Sequence, residues 1–428
     1  MHKSLLFLGL LLSLQLNAQK ISSRKIERIL NDHPALSQAH IAIAVQPLGE
    51  KKLIAKINAE HYMTPASNVK LLTFLAAVEK FQRLPKGYYF MDSLGHTHFK
   101  SSGYPLLFHP KYPDSQLVDW FKKQKEIIYH LAPARLTPLG PGWSWDDFSY
   151  YYSASRSSLP IYGNVATLYP EQLQDTVFYK SSLLPVEIDT LATTSFNREE
   201  NRNHFTVNPK LVNPKDTLYR PFIPSDSLTL DLLRKGLGIP VSKAQQYLSN
   251  SQLDTLWTSD FTPLYKALLH QSDNLVAESL LLMVGQHAND TLATAPTIAR
   301  LQEKWAKWLP DPLEWVDGSG VSRYNMVTPR SLLAVLQQIY MFIGLEGIKK
   351  YFPLGGFQGT LRAYSLPDGI QVYAKTGTLR HNHNLSGYFQ SQRGKWYTFS
   401  IMVNHYTAPS KTIRKGISAL LVGLYKKL

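Results

Sequence analysis

The middle of this chain interrupts its two ends. From residue 84 to residue 248, short strand-like pieces alternate with clusters of Pro, Gly, Asp and Asn. Phe108-His109-Pro110, Pro138-Leu139-Gly140-Pro141 and the polar tract 197–203 are examples. Such clusters punctuate local structure. Both flanks, by contrast, carry regular periods. Residues 21–30 predict a helix capped by Ser22 or Ser23. Residues 40–48 and 53–57 predict paired strands around the turn Gly49-Glu50-Lys51. Thr64 as a cap and Pro65 in the first turn predict the start of a helix over 69–81, with Leu71, Leu72, Leu75 and Val78 as its buried stripe. After the interruption, residues 261–285 predict helix, broken at Ser272-Asp273-Asn274, and residues 328–344 predict another. Residues 371–379 predict a strand, and 385–390 with 396–404 a hairpin around Arg393-Gly394. Residues 410–428 form an amphipathic helix with Ile413, Ile417, Leu420, Leu421 and Leu424 on one side. The expectation is an α+β unit made of residues 19–83 and 249–428: an antiparallel sheet flanked by helices. Residues 84–248 are a large, mostly β insertion.

The first residues predict export. His2 and Lys3 precede an apolar run over 5–14, and Asn17-Ala18-Gln19 offers a cleavage point after about Ala18. The run is short for a membrane span, so residues 1–18 are expected to be a cleaved signal peptide and the mature protein periplasmic. An uncleaved N-terminal anchor is the alternative. The chain has no cysteine. That excludes disulfides, a thiol nucleophile, a lipoprotein anchor and zinc sites of the cysteine type. The formal net charge of +15 favours anionic partners. For an exported protein these are anionic wall or membrane surface, with peripheral association, rather than nucleic acid.

Three short motifs follow in order: Ser67-Asn68-Val69-Lys70, Ser272-Asp273-Asn274 and Lys375-Thr376-Gly377, with Thr378 next. Each has a chemical reason. A serine hydroxyl is a weak nucleophile until a base takes its proton. Ser67 and Lys70 are three apart at a helix start, so their side chains share a face, and the helix N-terminus favours negative charge there. Lys70 can be the base if burial and cationic neighbours lower its pKa, and Lys375 is such a neighbour. Ser272 can pass a proton to the leaving amine, while Asn274 holds the lysine and the substrate amide. The strand of Lys375 offers its edge to an extended peptide. Gly377 permits close backbone approach. Lys375 with Thr376 and Thr378 can hold a terminal carboxylate, and the N–H groups of Ser67 and Thr378 can stabilise the oxyanion. Alone, Ser-x-x-Lys is weak: Ser22 to Lys25 mimics it. Together and in order the three are the signature of penicillin-binding proteins and related β-lactamases.

With these motifs the chain resembles the D-alanyl-D-alanine carboxypeptidase/endopeptidases, the low-molecular-mass class C penicillin-binding proteins. The long separation of Ser67 from Ser272 fits that family. So do Gly142-Trp143-Ser144-Trp145-Asp146-Asp147 with Tyr150-Tyr151-Tyr152, His270 to Asn274 with Ala277-Glu278, residues 317–323 and Ser386-Gly387-Tyr388. Gly103-Tyr104-Pro105 departs from the family's frequent Gly-Asp-Pro. The resemblance implies a penicillin-binding/β-lactamase-like transpeptidase fold and acylation of Ser67 by β-lactam antibiotics. It implies wall peptides as substrates and no cofactor. In the family an acidic residue and a tyrosine of the insertion can recognise a diamino acid side chain. Asp146 and Tyr151 are the matching candidates, although Trp143, Trp145 and Asp146 can equally pin the insertion to the catalytic unit.

Other patterns carry less. Asp317-Gly318-Ser319-Gly320 lacks the spacing of a second nucleophile and predicts a structural turn. His381-Asn382-His383 offers two histidines without a third ligand, a weak case for a metal site. The alternatives to a peptidase are a β-lactamase, against which the long insertion argues, and a wall-binding protein without catalysis, against which the intact set of Ser67, Lys70, Ser272 and Lys375 argues.

Overall fold

The structure is a computed structural model. It describes residues 23–173, 176–181, 183–245, 248, 253–289 and 291–428. The expected signal peptide lies outside the described residues.

Five strands form one fully antiparallel sheet, in the order Val372–Leu379, Asn382–Gln390, Trp396–Asn404, His40–Pro47 and Ala55–Ile57. The first two strands of the chain therefore complete a sheet begun by the last three. The register of His40–Pro47 follows from its pleat, which sends successive side chains to opposite faces. Ile43 and Val45 join Leu385, Phe399, Ile401 and Val403 on one face. That face is covered by the helices Ser23–Asn31 and Ser410–Lys427, through Ile26, Ile413, Ile417, Leu420 and Leu424. Ala42 and Ala44 join Tyr388 and Met402 on the other, under Val69–Lys80 and Pro329–Tyr351. Small residues on this face let the helices approach closely.

Pro329–Tyr351 is long and apolar enough to cross a membrane by length and composition. Here it is a core helix: Leu332, Leu333, Val335, Leu336 and Ile339 are buried. Thr328 caps it by accepting from the Ser331 N–H. It runs past the expected end at residue 344, where Gly344 leaves helical geometry at φ 62°. The expected strand 53–57 shortens to Ala55–Ile57, and the hairpin strand expected from 385 begins at Asn382.

Between these flanks a second five-stranded sheet has the order Val241–Lys243, Ile127–His130, Thr97–Ser101, Leu84–Met91 and Asp254–Thr258. Leu84–Met91 pairs antiparallel with Asp254–Thr258. The chain thus enters and leaves this region on neighbouring strands, which lets a long segment interrupt a compact unit without separating its halves. Ser115–Lys122 and Asp226–Leu237 are its longer helices among the described residues.

Candidate active site

The nucleophile turn is built by close backbone contacts. Ala66–Asn68 is a single 3-10 turn running into the helix Val69–Lys80. Thr64 does not cap it: no side chain does, and the Thr64 carbonyl instead accepts from the side chains of Asn384 and Asn404. Ala66 sits at φ 48°, a costly conformation for a residue with a Cβ and one that concentrates at functional sites. Its surroundings hold it there. A Cβ on Gly320 would lie 1.9 Å from the Ala66 carbonyl oxygen, and one on Gly377 would lie 2.3 Å from that of Pro65. Only glycine fits at either place.

This turn brings the first two motifs together. Lys70, fully buried, donates from Nζ to Ser67 Oγ at 3.1 Å, to Asn274 Oδ1 at 2.6 Å and to the Ser319 carbonyl at 2.6 Å. Burial pushes the Lys70 pKa down to about 8, against the opposing charges of Asp317, Glu278 and Asp273. Its partners use all three ammonium protons, so the side chain is held aimed at Ser67. Ser272 lies between the helices Thr262–Leu269 and Asn274–Asn289, at φ 58°. It accepts from Lys375 Nζ at 2.8 Å, and Lys375 also donates to the Thr376 carbonyl at 2.7 Å. Burial, and then the charge of Lys70, holds Lys375 well below the usual lysine range. The Asn68 amide, itself buried, donates to the Lys375 carbonyl at 2.8 Å and accepts from Ser386 Oγ. It ties the nucleophile turn to the Val372–Leu379 strand.

The outer residues of the third motif point in different directions. Thr378 is exposed, lines the cleft and shares a 2.8 Å hydrogen bond with His383 Nδ1. Thr376 is buried and donates to Thr360 Oγ1 at 2.7 Å. His383 also meets the Tyr364 hydroxyl at 2.7 Å, and His381 Nδ1 meets the Tyr406 carbonyl. The two histidines are thus engaged with different protein partners. The cleft in front of Ser67 encloses about 860 Å³, and Ser272, Asn274, Asp146, Asp147, Tyr152, Arg323, Arg380 and Thr378 line it.

The insertion motif is split by the structure. Asp146 is exposed on the cleft wall. Tyr151 is not on that wall, which corrects the expectation that it faces the substrate. Its hydroxyl donates to the Asp273 carboxylate, and Tyr152 takes the place on the cleft wall, donating to Asp147 at 2.7 Å. In an irregular segment no period tells which of three adjacent tyrosines faces outward. Asp273 is buried, with His109 Nε2 at 3.4 Å and the Val276 N–H at 3.0 Å. Burial alone would raise its pKa, but His109, Tyr151 and that N–H outweigh burial and hold it below the usual carboxylate range.

Several site residues were not singled out from sequence. Asp317 is fully buried and accepts from the N–H groups of Gly320 and Ser322, the Asn325 amide and Trp143 Nε1. It shapes the turn whose Ser319 carbonyl holds Lys70, so the expected structural turn also serves the site. Glu278 accepts from the Ser319 N–H at 2.8 Å, and burial with the Asp317 charge raises its pKa. Thr73 donates to the Gly318 carbonyl at 2.6 Å. A polar residue repeated on the inward face of a helix, as Thr73 is after Lys70, was the available signal.

Known proteins bear on this arrangement. Residues 22–86 and 225–424 match the family described as D-Ala-D-Ala carboxypeptidase 3 (S13). The chain belongs to the D-Ala-D-Ala carboxypeptidase 3 family. The matched segments of this S13 family hold all three motifs and leave out most of the insertion. D-alanyl-D-alanine carboxypeptidase DacB of Haemophilus influenzae is 32% identical over 177 residues, covering 39% of this chain and 36% of that protein. Penicillin-sensitive carboxypeptidase A of Dictyostelium discoideum is 30% identical over 168 residues, 36% of this chain and 32% of that one. The alignments thus span about a third of each curated relative. The fold extends further. Penicillin binding protein 4 from Haemophilus influenzae superposes with TM-score 0.71 at 19% identity, covering 95% of this chain and 100% of that one. A predatory endopeptidase from Bdellovibrio bacteriovorus gives 0.52 at 14% identity, over 90% and 94%. The S13 chain therefore has the expected penicillin-binding α+β fold.

Proposed function

We propose that this protein is a serine D-Ala-D-Ala carboxypeptidase, D-alanyl endopeptidase, or both, acting on peptidoglycan peptides through an acyl-enzyme on Ser67. The observation that carries this reading is the placement of Lys70 Nζ. It is buried, shares a hydrogen bond with the Ser67 hydroxyl and is depressed to about 8. A lysine in that state can be neutral near working pH and take a proton.

The reaction then runs as acyl transfer. Ser67 Oγ attacks the carbonyl of the D-alanine and its proton passes to Lys70. The N–H groups of Ser67 and Thr378 hold the oxyanion. Ser272 gives its proton to the leaving amine as the C–N bond breaks, and the lysines replace it. Water resolves the ester. Asn274 orients Lys70, and the basic edge of Lys375 with Thr378 receives the carboxylate of the leaving residue. Thr376, turned toward Thr360, supports that edge from behind. Asp146 is the residue suited to an ammonium on the peptide side chain. In this reading residues 19–83 and 249–428 make the catalytic unit and 84–248 the insertion, with Asp254–Thr258 lending the insertion's sheet an edge strand beside Leu84–Met91.

Export to the periplasm and peripheral association with anionic wall or membrane belong to the same proposal. The leader and the charge of +15 support them. A relative of the same fold has been captured with a β-lactam, which supports penicillins as covalent inhibitors here. The test is release of D-alanine from a pentapeptide ending in D-alanyl-D-alanine, and cleavage of cross-linked wall peptides. Wild type should perform at least one and Ser67→Ala neither. Activity that survives Ser67→Ala would sink the assignment.

A further inference from the structure

Two tryptophans of the insertion, two residues apart, meet opposite fates. Trp143 is buried and donates to Asp317 Oδ2 at 2.9 Å. Trp145 is 70% exposed. It opens the 3-10 turn Trp145–Ser149, whose Asp146 and Asp147 line the cleft. The tyrosines that follow repeat the division. Tyr151 turns inward to Asp273. Tyr150 and Tyr152 stay outside and stack, with centroids 5.5 Å apart and planes 7° from parallel. Tyr324 is 65% exposed and its ring lies over Gly142, where a Cβ would come within 2.7 Å of it. Four large aromatic rings thus crowd one lip of the cleft. Single exposed aromatics are ordinary, but a concentration of them rimmed by polar groups marks a binding surface.

The chemistry of the lip selects its ligand. The carboxylates of Asp146 and Asp147 sit among the rings, which disfavours a nucleic acid and is unlike the charge-depleted centre of a protein interface. Flat rings beside hydrogen-bond acceptors suit a saccharide, whose C–H faces pack on aromatics while its hydroxyls donate to carboxylates. The lip is also continuous with the reaction centre, because the Asn274 amide donates to the Tyr152 carbonyl at 2.7 Å.

We propose that the Trp145–Tyr150 lip is a saccharide-binding subsite for the glycan strand that carries the wall peptide. This rests on the peptidase reading above and adds to it a preference: peptides still joined to sugar are better substrates than free peptides. Fixing the sugar on the lip orients the stem peptide toward Ser67.

The comparison is kcat/KM on a disaccharide-linked pentapeptide against the same pentapeptide without sugar. Trp145→Ala and Tyr150→Ala should each lower the glycan-linked value about three- to tenfold, mainly through KM. They should leave the free peptide and the rate of penicillin acylation unchanged, which also shows that the variants are folded. Equal losses on both substrates, or none on either, overturn the proposal. Calorimetric titration with peptide-free glycan chains reads the same site without catalysis: wild type should bind and Trp145→Ala should bind several-fold more weakly. A wild type that binds glycan but never acylates with penicillin would defeat the peptidase reading and not this one. Failure of wild type to bind glycan would defeat this one alone.

Discussion

Two regions of the same cleft are built on opposite terms. Behind Ser67 the protein is dry. Lys70, Lys375, Asp317 and Glu278 are all fully buried, and their charges are managed by hydrogen bonds and by one another. Along residues 144–152 the surface is wet, with Trp145, Asp146 and Tyr150 exposed. The difference is in what each region can do. Burial penalises charge and lowers the Lys70 pKa to about 8, the state the proposed base needs. An exposed wall presents its side chains to whatever enters and can change which molecules dwell in the cleft. On the proposed reading the flanks carry the chemistry and the carboxylate site of Lys375 and Thr378, and the insertion adds a second recognition surface.

The comparison breaks first at Lys70. Lys70→Ala should lower the rate of Ser67 acylation by about 10²- to 10⁴-fold, measured as penicillin labelling in time, with little change in peptide affinity. The same residue fixes a pH dependence. A base must be neutral, so acylation should rise with pH and level off above about 8. A flat profile between pH 6 and 9 would remove Lys70 from that role.

The next effect is on stability. Asp317→Ala leaves four buried donors without their acceptor. Each unsatisfied buried donor costs about 1–3 kcal/mol, so the loss in urea unfolding should be at least about 3 kcal/mol. An exposed aspartate on the lip sets the contrast: Asp146→Asn should leave unfolding unchanged within about 0.5 kcal/mol.

The smallest effect lies where the regions join. Tyr151 and His109, both of the insertion, hold Asp273 beside Ser272 and Asn274. Tyr151→Phe removes one hydrogen bond to a buried carboxylate, worth about 1.5–3 kcal/mol. Part of that loss should appear as a several-fold lower kcat for acylation with KM unchanged, since Tyr151 stands behind the turn and not in the cleft. A change confined to KM would return Tyr151 to the substrate wall.

What was legible in the sequence follows the same division. Ser67, Lys70, Ser272, Asn274 and Lys375 stand in contiguous strings, because one helix start, one inter-helix turn and one strand each carry a piece of chemistry. The antiparallel sheet was legible because the alternation over 40–47 and 396–404 is regular. Thr64 was misread as a cap because Ala66 adopts a left-handed backbone forced by Gly320, 254 positions away by number. Glu278 and His109 act through contacts across the fold that no local pattern records, as does Asp317 in its bond to Trp143. The phase of Tyr150, Tyr151 and Tyr152 could not be read because the 3-10 segments around them have no sustained period.

The central claim is that Ser67 forms the acyl-enzyme. Intact mass after brief exposure to benzylpenicillin, followed over time, tests it most directly. The account predicts a mass increase of one penicillin, mapped to the peptide carrying Ser67 and decaying slowly. Folded protein with no adduct, or rapid drug hydrolysis without one, would contradict it.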